Sequence, residues 1–274
     1  MNGKVYLVGA GPGDPELLTV KALHLLSTAD VVLHDDLVSA EILQLIRPTA
    51  DDRNVGKRCG SKRIRQEEIN FLLVTLAASG LHVVRLKGGD PLIFGRAGEE
   101  IEALRRANIE YEIVPGVTSA LGAAAAAGIP LTHRQISSSL VLVTGQRASS
   151  SDDADWSGLA ASRSTLVMYM PGSNYGETFS RLTRAGFVGE TPCAIISRAT
   201  TTEQRIFRTT VADLHAAPRL ESPTLLIVGE VVRFTDHSLV EDAAIVQHGG
   251  VRATLESSVL QPAESLRGNG EGLA

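Results

Sequence analysis

Short apolar runs rich in Val, Ile and Leu alternate with stretches of helical period through the first half of the chain. Val5–Gly9 predicts a strand, and 15–27, with Leu18, Ala22 and Leu25 at helical spacing, predicts a helix. The pattern continues as strand 29–34, helix 39–47, the polar loop GKRCGSKR, helix 66–79, strand 83–87 and helix 98–107. Such alternation implies βαβ units around a parallel sheet. Ile113 and Val114 form a short strand that stops at Pro115-Gly116, where the period is lost, and an Ala-rich helix over 118–127 follows. A second series predicts strands at 140–144, 165–170, 193–197, 203–209 and 224–228, with a helix at 174–185. The break near Pro115 is the expected boundary between an N-terminal α/β domain, 1–114, and a C-terminal α/β domain, 115–242. Beyond it the pattern fades, and 243–274 reads as a flexible tail.

Composition narrows the class. With 43% hydrophobic and 21% charged residues the chain is ordinary for a globular protein, and 4% aromatics suit close-packed α/β layers better than an all-β fold. A formal charge of −5 argues against nucleic acid or an anionic membrane as partner. No basic-then-apolar leader precedes the first strand, and ALGAAAAAGIPL is too short and too broken by Gly and Pro to span a bilayer. Cys59 and Cys193 lie far apart and form no CxxC, so the expectation is a reduced, cytoplasmic protein without disulfides, Cys193 being a small strand hydrophobe.

Two segments repeat one design. VYLVGAGPGDPELL and VVRLKGGDPLIF each carry an apolar run into glycines and then into Gly-Asp-Pro, at Gly13-Asp14-Pro15 and Gly89-Asp90-Pro91. Glycine permits a sharp turn and close approach of a ligand, Asp suits an N-cap and Pro the first helical position. On neighbouring parallel strands these turns would share the sheet edge where open α/β sheets bind ligands. GAGPGDP is not a dinucleotide fingerprint: Asp14 replaces the third glycine, Pro12 lacks an amide, and a capping carboxylate occupies the positive end of the helix dipole. The loop suits a nucleoside without phosphates. In VRLKGGDPLIFGRAGEE the simplest reading has Asp90 capping the helix and Glu99 and Glu100 in solvent. Gly95 and Gly98, at the helix start, point instead to something approaching the backbone there.

LVGAGPGDPELLT, ADVVLHDDLVS, GKRCGSKRIRQEEIN, RLKGGDPLIFGRAGEE, VPGVTSALG, GIPLTHR, VMYMPG and SPTLLIVGEVV, in this order, resemble uroporphyrinogen-III C-methyltransferases of the tetrapyrrole methylase family. The resemblance runs from about Val5 to about Val232. It implies two α/β domains with S-adenosylmethionine in the cleft between them, S-adenosylhomocysteine as the spent cofactor, no metal, and a homodimer. It also implies methylation of uroporphyrinogen III at C2 and C7, giving precorrin-2 via precorrin-1 for sirohaem or cobalamin synthesis. Carried over by position, the cofactor contacts are Pro12, Gly88, Gly89, Asp90, Ile93, Thr118, Ser119, Met170 and Ala199. Ser119 and Ala199 stand where the family often has Ala and Gly, small replacements that leave backbone contacts possible.

The resemblance assigns Asp35, at the end of strand ADVVLHD, as the base; the alternative is a loop aspartate capping the following helix. Lys57 matches the family's proton donor, its alternatives being carboxylate binding or a surface ammonium. His34 would point to the opposite strand face. Asp36 departs from the arginine or small residue common at that position. The substrate's eight carboxylates suit a local cation cluster, Lys57, Arg58, Lys62, Arg63 and Arg65 with Arg96, His133 and Arg134 elsewhere, and Arg58 and Arg134 are the expected contacts. The first motif lies near the start of the sequence, which reads as a unit without a fused dehydrogenase–chelatase segment that stops at the dimethylated product. The rival readings are a methyltransferase of the same family acting on a later precorrin or on a protein, a nicotinamide-dependent oxidoreductase, and a non-catalytic nucleoside-binding regulator.

Overall fold

A computed structural model describes residues 3–56, 64–146, 156, 158–172 and 174–234. Lys57, Arg58, Cys59, Lys62, Arg63 and the expected tail 243–274 lie outside them. The first sheet contains β1 (Lys4–Gly9), β2 (Val31–His34), β3 (Asp51–Asn54), β4 (His82–Lys87) and β5 (Glu110–Val114) in the order β3-β2-β4-β1-β5. Every pairing in it is parallel, as the alternating pattern predicts. Alternate side chains leave the strands on opposite faces. Val5, Leu7, Leu33 and Val83 pack under α3 (Gln66–Ala78) and α4 (Ala97–Arg106), while Val8, Val32, Val84 and Leu86 pack under α1 (Val20–Thr28) and α2 (Ala40–Leu43).

The second sheet holds β6 (Leu140–Thr144), β7 (Thr165–Tyr169), β8 (Pro192–Ser197), β9 (Arg205–Thr210) and β10 (Thr224–Val228) in the order β6-β7-β10-β8-β9. Only β6 and β7 are parallel; the other pairings are antiparallel. α5 (Ser119–Ala127) covers one face through Ala120, Ala123, Ala124 and Ala127, and α6 (Tyr175–Arg184) covers the other through Tyr175 and Leu182. Cys193 is fully buried in β8, where burial pushes its thiol up to about 12. Among the described residues no helix is long and apolar enough to cross a membrane.

Several features differ from the sequence pattern, among them α2, which runs only over Ala40–Leu43 where a helix over 39–47 is expected. The helix expected over 15–27 is two pieces: a single 3-10 turn, Pro15–Leu17, under an Asp14 cap, then extended Leu18, then α1 under a Thr19 cap. Two caps five residues apart each start their own element, and the apolar spacing alone does not register the interruption. β3, sequence DDRN, was absent from the pattern because it is an edge strand with exposed side chains, held through β2 on one side. Asp90 does not cap α4. Its Oδ1 accepts from Leu92 N at 2.9 Å and its Oδ2 from Gly116 N at 3.1 Å, whereas α4 starts after Arg96.

Candidate active site

The two Gly-Asp-Pro turns lie side by side, because β1 and β4 are adjacent and parallel. Gly11 N donates to Gly89 O at 3.1 Å and Gly89 N to Gly11 O at 2.7 Å. Gly89 has φ +68°, and a Cβ there would come 3.1 Å from Ser119 Oγ. At Gly9 a Cβ would meet Gly116 N at 2.5 Å, so three backbone segments converge with no room for side chains. The first turn leans on the second half of the chain: Asp14 N donates to Thr200 Oγ1 at 3.1 Å, and Pro12 packs where a Cβ on Gly122 of α5 would be. Gly95 is required by its own loop, since a Cβ would lie 2.6 Å from Pro91 O, whereas a Cβ on Gly98 would meet nothing within 4 Å among the described residues.

Tyr169, the last residue of β7, ties this corner together. Its hydroxyl meets Thr118 Oγ1 at 2.5 Å and accepts from Ala120 N at 3.1 Å, and its ring lies 5.0 Å from that of Phe94. Met170 follows it with φ 49°. Phe94, Arg96, Arg198 and Thr200 are also non-glycine residues in the left-handed region. For a β-branched residue such as Thr200 that conformation is a true outlier. It is held by Thr200 N donating to Gln204 Oε1 at 2.7 Å and by the bond from Asp14. Strained backbone of this kind concentrates at functional sites. Pro12, Gly88, Gly89, Asp90, Thr118, Ser119, Met170 and Ala199 therefore lie on mutually touching segments, with Ile93 packed against the α5 cluster.

Asp35 sits at the end of β2 on a loop fastened to both turns. Ser39 Oγ donates to Gly13 O at 2.7 Å, and a Cβ on Gly88 would touch Leu37 Cβ at 2.9 Å. Ser39, not Asp35, caps α2, so the capping alternative for Asp35 is excluded. The Asp35 side chain is 27% exposed, and its Oδ1 accepts from Arg85 Nη2 at 2.6 Å. Its other carboxylate oxygen has no hydrogen-bond partner among the described residues. His34 points away, with Nε2 3.4 Å from Asp52. Asp36 accepts from Asn54 Nδ2 at 2.7 Å.

Beneath Asp35 is a group of charges that the motif analysis did not single out. Arg85, Lys87 and Glu100 are 2%, 3% and 0% exposed. Glu100 is thus not in solvent as expected: with Ala97 and Leu104 it lies on the buried stripe of α4. Its Oε1 accepts from Arg85 Nε and Lys87 Nζ, both at 3.1 Å, and from Gln66 Nε2 at 3.2 Å. Burial opposes the charge on Arg85, but the nearby Asp35 and Glu100 carboxylates outweigh it and raise its pKa. Burial and the Arg85 charge lower that of Lys87. Breaking such a buried set by removing one member costs about 3–5 kcal/mol. The signal in the sequence was there: a central parallel strand should be continuously apolar, and HVVRLK places two cations on one of its faces.

Arg134 is exposed between α5 and β6, where the His133 ring lies 4.8 Å from Phe234, and Arg96 pairs with Glu99. Lys57 and Arg58 are outside the described residues.

Residues 4–215 match the family model for Tetrapyrrole (Corrin/Porphyrin) Methylases. The chain belongs to the tetrapyrrole methylases. Among curated relatives, siroheme synthase 1 of Yersinia enterocolitica is 51% identical over 84% of this chain and 49% of its own length. Siroheme synthase of Pseudomonas fluorescens is 51% identical over 85% of this chain and 51% of its own. The chain therefore spans about half the length of these relatives. A solved tetrapyrrole methylase, uroporphyrin-III C-methyl transferase of Thermus thermophilus complexed with S-adenosyl homocysteine, has a TM-score of 0.75 and 41% identity, covering 85% of this chain and all of that one. A cobalt precorrin-4 methyltransferase matches with TM-score 0.74 and 33% identity, over 84% of this chain and 95% of its own.

Proposed function

We propose that this chain transfers methyl groups from S-adenosylmethionine to C2 and C7 of uroporphyrinogen III, giving precorrin-2 by way of precorrin-1 for sirohaem or cobalamin synthesis. The observation that carries this reading is the Asp35 loop, bonded to one glycine turn through Ser39 and packed on the other through Leu37. The likeness to the Thermus thermophilus enzyme, which spans all of that chain and 85% of this one, supports the choice of substrate. The candidate cofactor set fits a nucleoside sulfonium: none of Pro12, Gly88, Gly89, Asp90, Ile93, Thr118, Ser119, Met170 and Ala199 is cationic, and the Asp90 carboxylate suits a cationic ligand better than a phosphate. When bound, S-adenosylmethionine supplies an electrophilic methyl group.

The protein's own part is positioning and proton transfer. Pyrrole carbons of the substrate are electron-rich, so holding one in line with the methyl group is the main task, and orientation of this kind contributes up to about 7–11 kcal/mol in ideal cases. Forming the new C–C bond leaves the macrocycle positively charged until it loses a proton. Asp35 takes that proton on the oxygen that Arg85 leaves free. Lys57 donates where the macrocycle must be reprotonated, and Arg58 and Arg134 hold its carboxylates. The reading includes a homodimer, tested by light scattering, and a cytoplasmic location, tested by cell fractionation.

Incubation with uroporphyrinogen III and methyl-labelled S-adenosylmethionine tests the proposal. The expected product has gained two methyl groups by mass. Methylation of later precorrins only, or of protein, would overturn it.

A further inference from the structure

We propose that Glu100 is a positioning residue for the base, acting on Asp35 through Arg85. The proposal rests on the reading of Asp35 as the base. A guanidinium is planar, so fixing two of its nitrogens fixes the direction of the third. Arg85 Nε donates to Glu100 Oε1 at 3.1 Å, and its Nη1 donates to the Leu33 and Leu86 carbonyls, both at 3.2 Å. These acceptors orient Arg85 without help from Asp35, and Nη2 then meets Asp35 Oδ1 at 2.6 Å. Asp35 is thereby held by one oxygen while the other stays available. Both backbone acceptors belong to Nη1, so among the described residues Glu100 is the side chain other than Asp35 that holds the guanidinium, and it does so at Nε.

The charge arrangement supports the same role. Arg85 and Lys87 are opposed by Asp35 and Glu100, and Asp35 is the only one of the four whose side chain is appreciably exposed. Glu100 Oε1 takes all three donors, while its Oε2 is buried and unpartnered among the described residues. Tying the guanidinium thus takes precedence over satisfying both carboxylate oxygens, an arrangement that packing alone would not favour.

The test compares D35N, E100L, K87M/E100L and D35N/E100L in the full chain, with steady-state methylation of uroporphyrinogen III, calorimetric binding of S-adenosylhomocysteine, and thermal melts. Leucine removes the acceptor for Arg85 Nε, which glutamine would keep. The double variant K87M/E100L removes one cation together with the carboxylate, so the buried charge stays balanced and the variant should fold where E100L alone does not. The expected result is a kcat about 10²-fold lower in both E100L and K87M/E100L, the loss that a misplaced catalytic group produces. Neither KM nor the binding constant for S-adenosylhomocysteine should change, and D35N/E100L should be no slower than D35N. Normal kcat in K87M/E100L, or losses that multiply in D35N/E100L, would overturn the proposal while leaving the Asp35 base intact. Normal kcat in D35N would overturn the base and the proposal with it.

Discussion

Gly11 and Gly89 exchange two backbone hydrogen bonds across the ends of β1 and β4. This bridge joins two turns that are 78 positions apart in sequence, 89 less 11, into one surface. It also leaves Gly89 in a left-handed conformation with Ser119 directly opposite. Gly89→Ala should therefore lower stability by about 1–2 kcal/mol through backbone strain. It should also weaken binding of S-adenosylhomocysteine, and denaturant melts with calorimetry would read both effects. Unchanged binding would remove Gly89 from the cofactor wall.

Tyr169 supports the opposite wall through its hydroxyl. In Tyr169→Phe the Ala120 N–H, in the first turn of α5, loses its acceptor, and Thr118 loses its partner. An unsatisfied buried amide costs about 1–3 kcal/mol. The variant should melt earlier and bind S-adenosylhomocysteine more weakly, and the phenyl ring should keep its contact with Phe94. Wild-type affinity in a less stable variant would confine Tyr169 to a packing role.

Charge reversal separates the two substrates. Arg58→Glu and Arg134→Glu should raise the KM for uroporphyrinogen III while leaving that for S-adenosylmethionine nearly unchanged, because only the former is a polyanion. The effect should shrink as ionic strength rises. Equal changes in both constants would refute electrostatic capture at these positions.

Asp30 gives the chain a pH-dependent clamp. The His82 N–H above all holds its carboxyl below the usual range; burial opposes it, and the Arg47 charge and hydrogen bond add to the lowering. A depressed folded-state pKa adds stability above the unfolded value and loses it as pH falls through the folded one. Asp30→Asn should thus cost about 1 kcal/mol near neutrality, a surface-pair magnitude. The difference should disappear below the folded pKa of Asp30, which urea melts between neutral and strongly acidic pH would follow. A difference independent of pH would assign the effect to shape alone.

Much of the site was legible because its signals are local. A glycine that must turn, a short run of β-branched residues and a cap are each read within a few positions, so VYLVGAGPGDP and VVRLKGGDP announced adjacent strand ends. The position of Asp35, at the end of a clear strand, was legible for the same reason, whereas its reading as the base came from the family resemblance. Gly95 shows the limit of such inference: its placement suggested approach of a ligand, and a Cβ there would strike the Pro91 carbonyl of its own loop. Glu100 shows the reverse, since a carboxylate between Glu99 and Ile101 has no local mark of burial.

By itself the sequence determined a parallel α/β first half and the paired turns at one edge of its sheet, because periodicity and turn chemistry act over short stretches, and its ordered motifs carried the family resemblance. Tertiary structure alone decided that β3 completes the first sheet, that the second sheet is largely antiparallel, and that Thr200 and Tyr169 close on the first turn and α5. It also decided that Arg85, Lys87 and Glu100 share one buried site beneath Asp35. All of these depend on pairing between residues distant in sequence, and the buried charges show it most clearly. A buried charge is tolerated only beside its partners, and those partners lie on β2, β4, α3 and α4, which only the folded chain brings together.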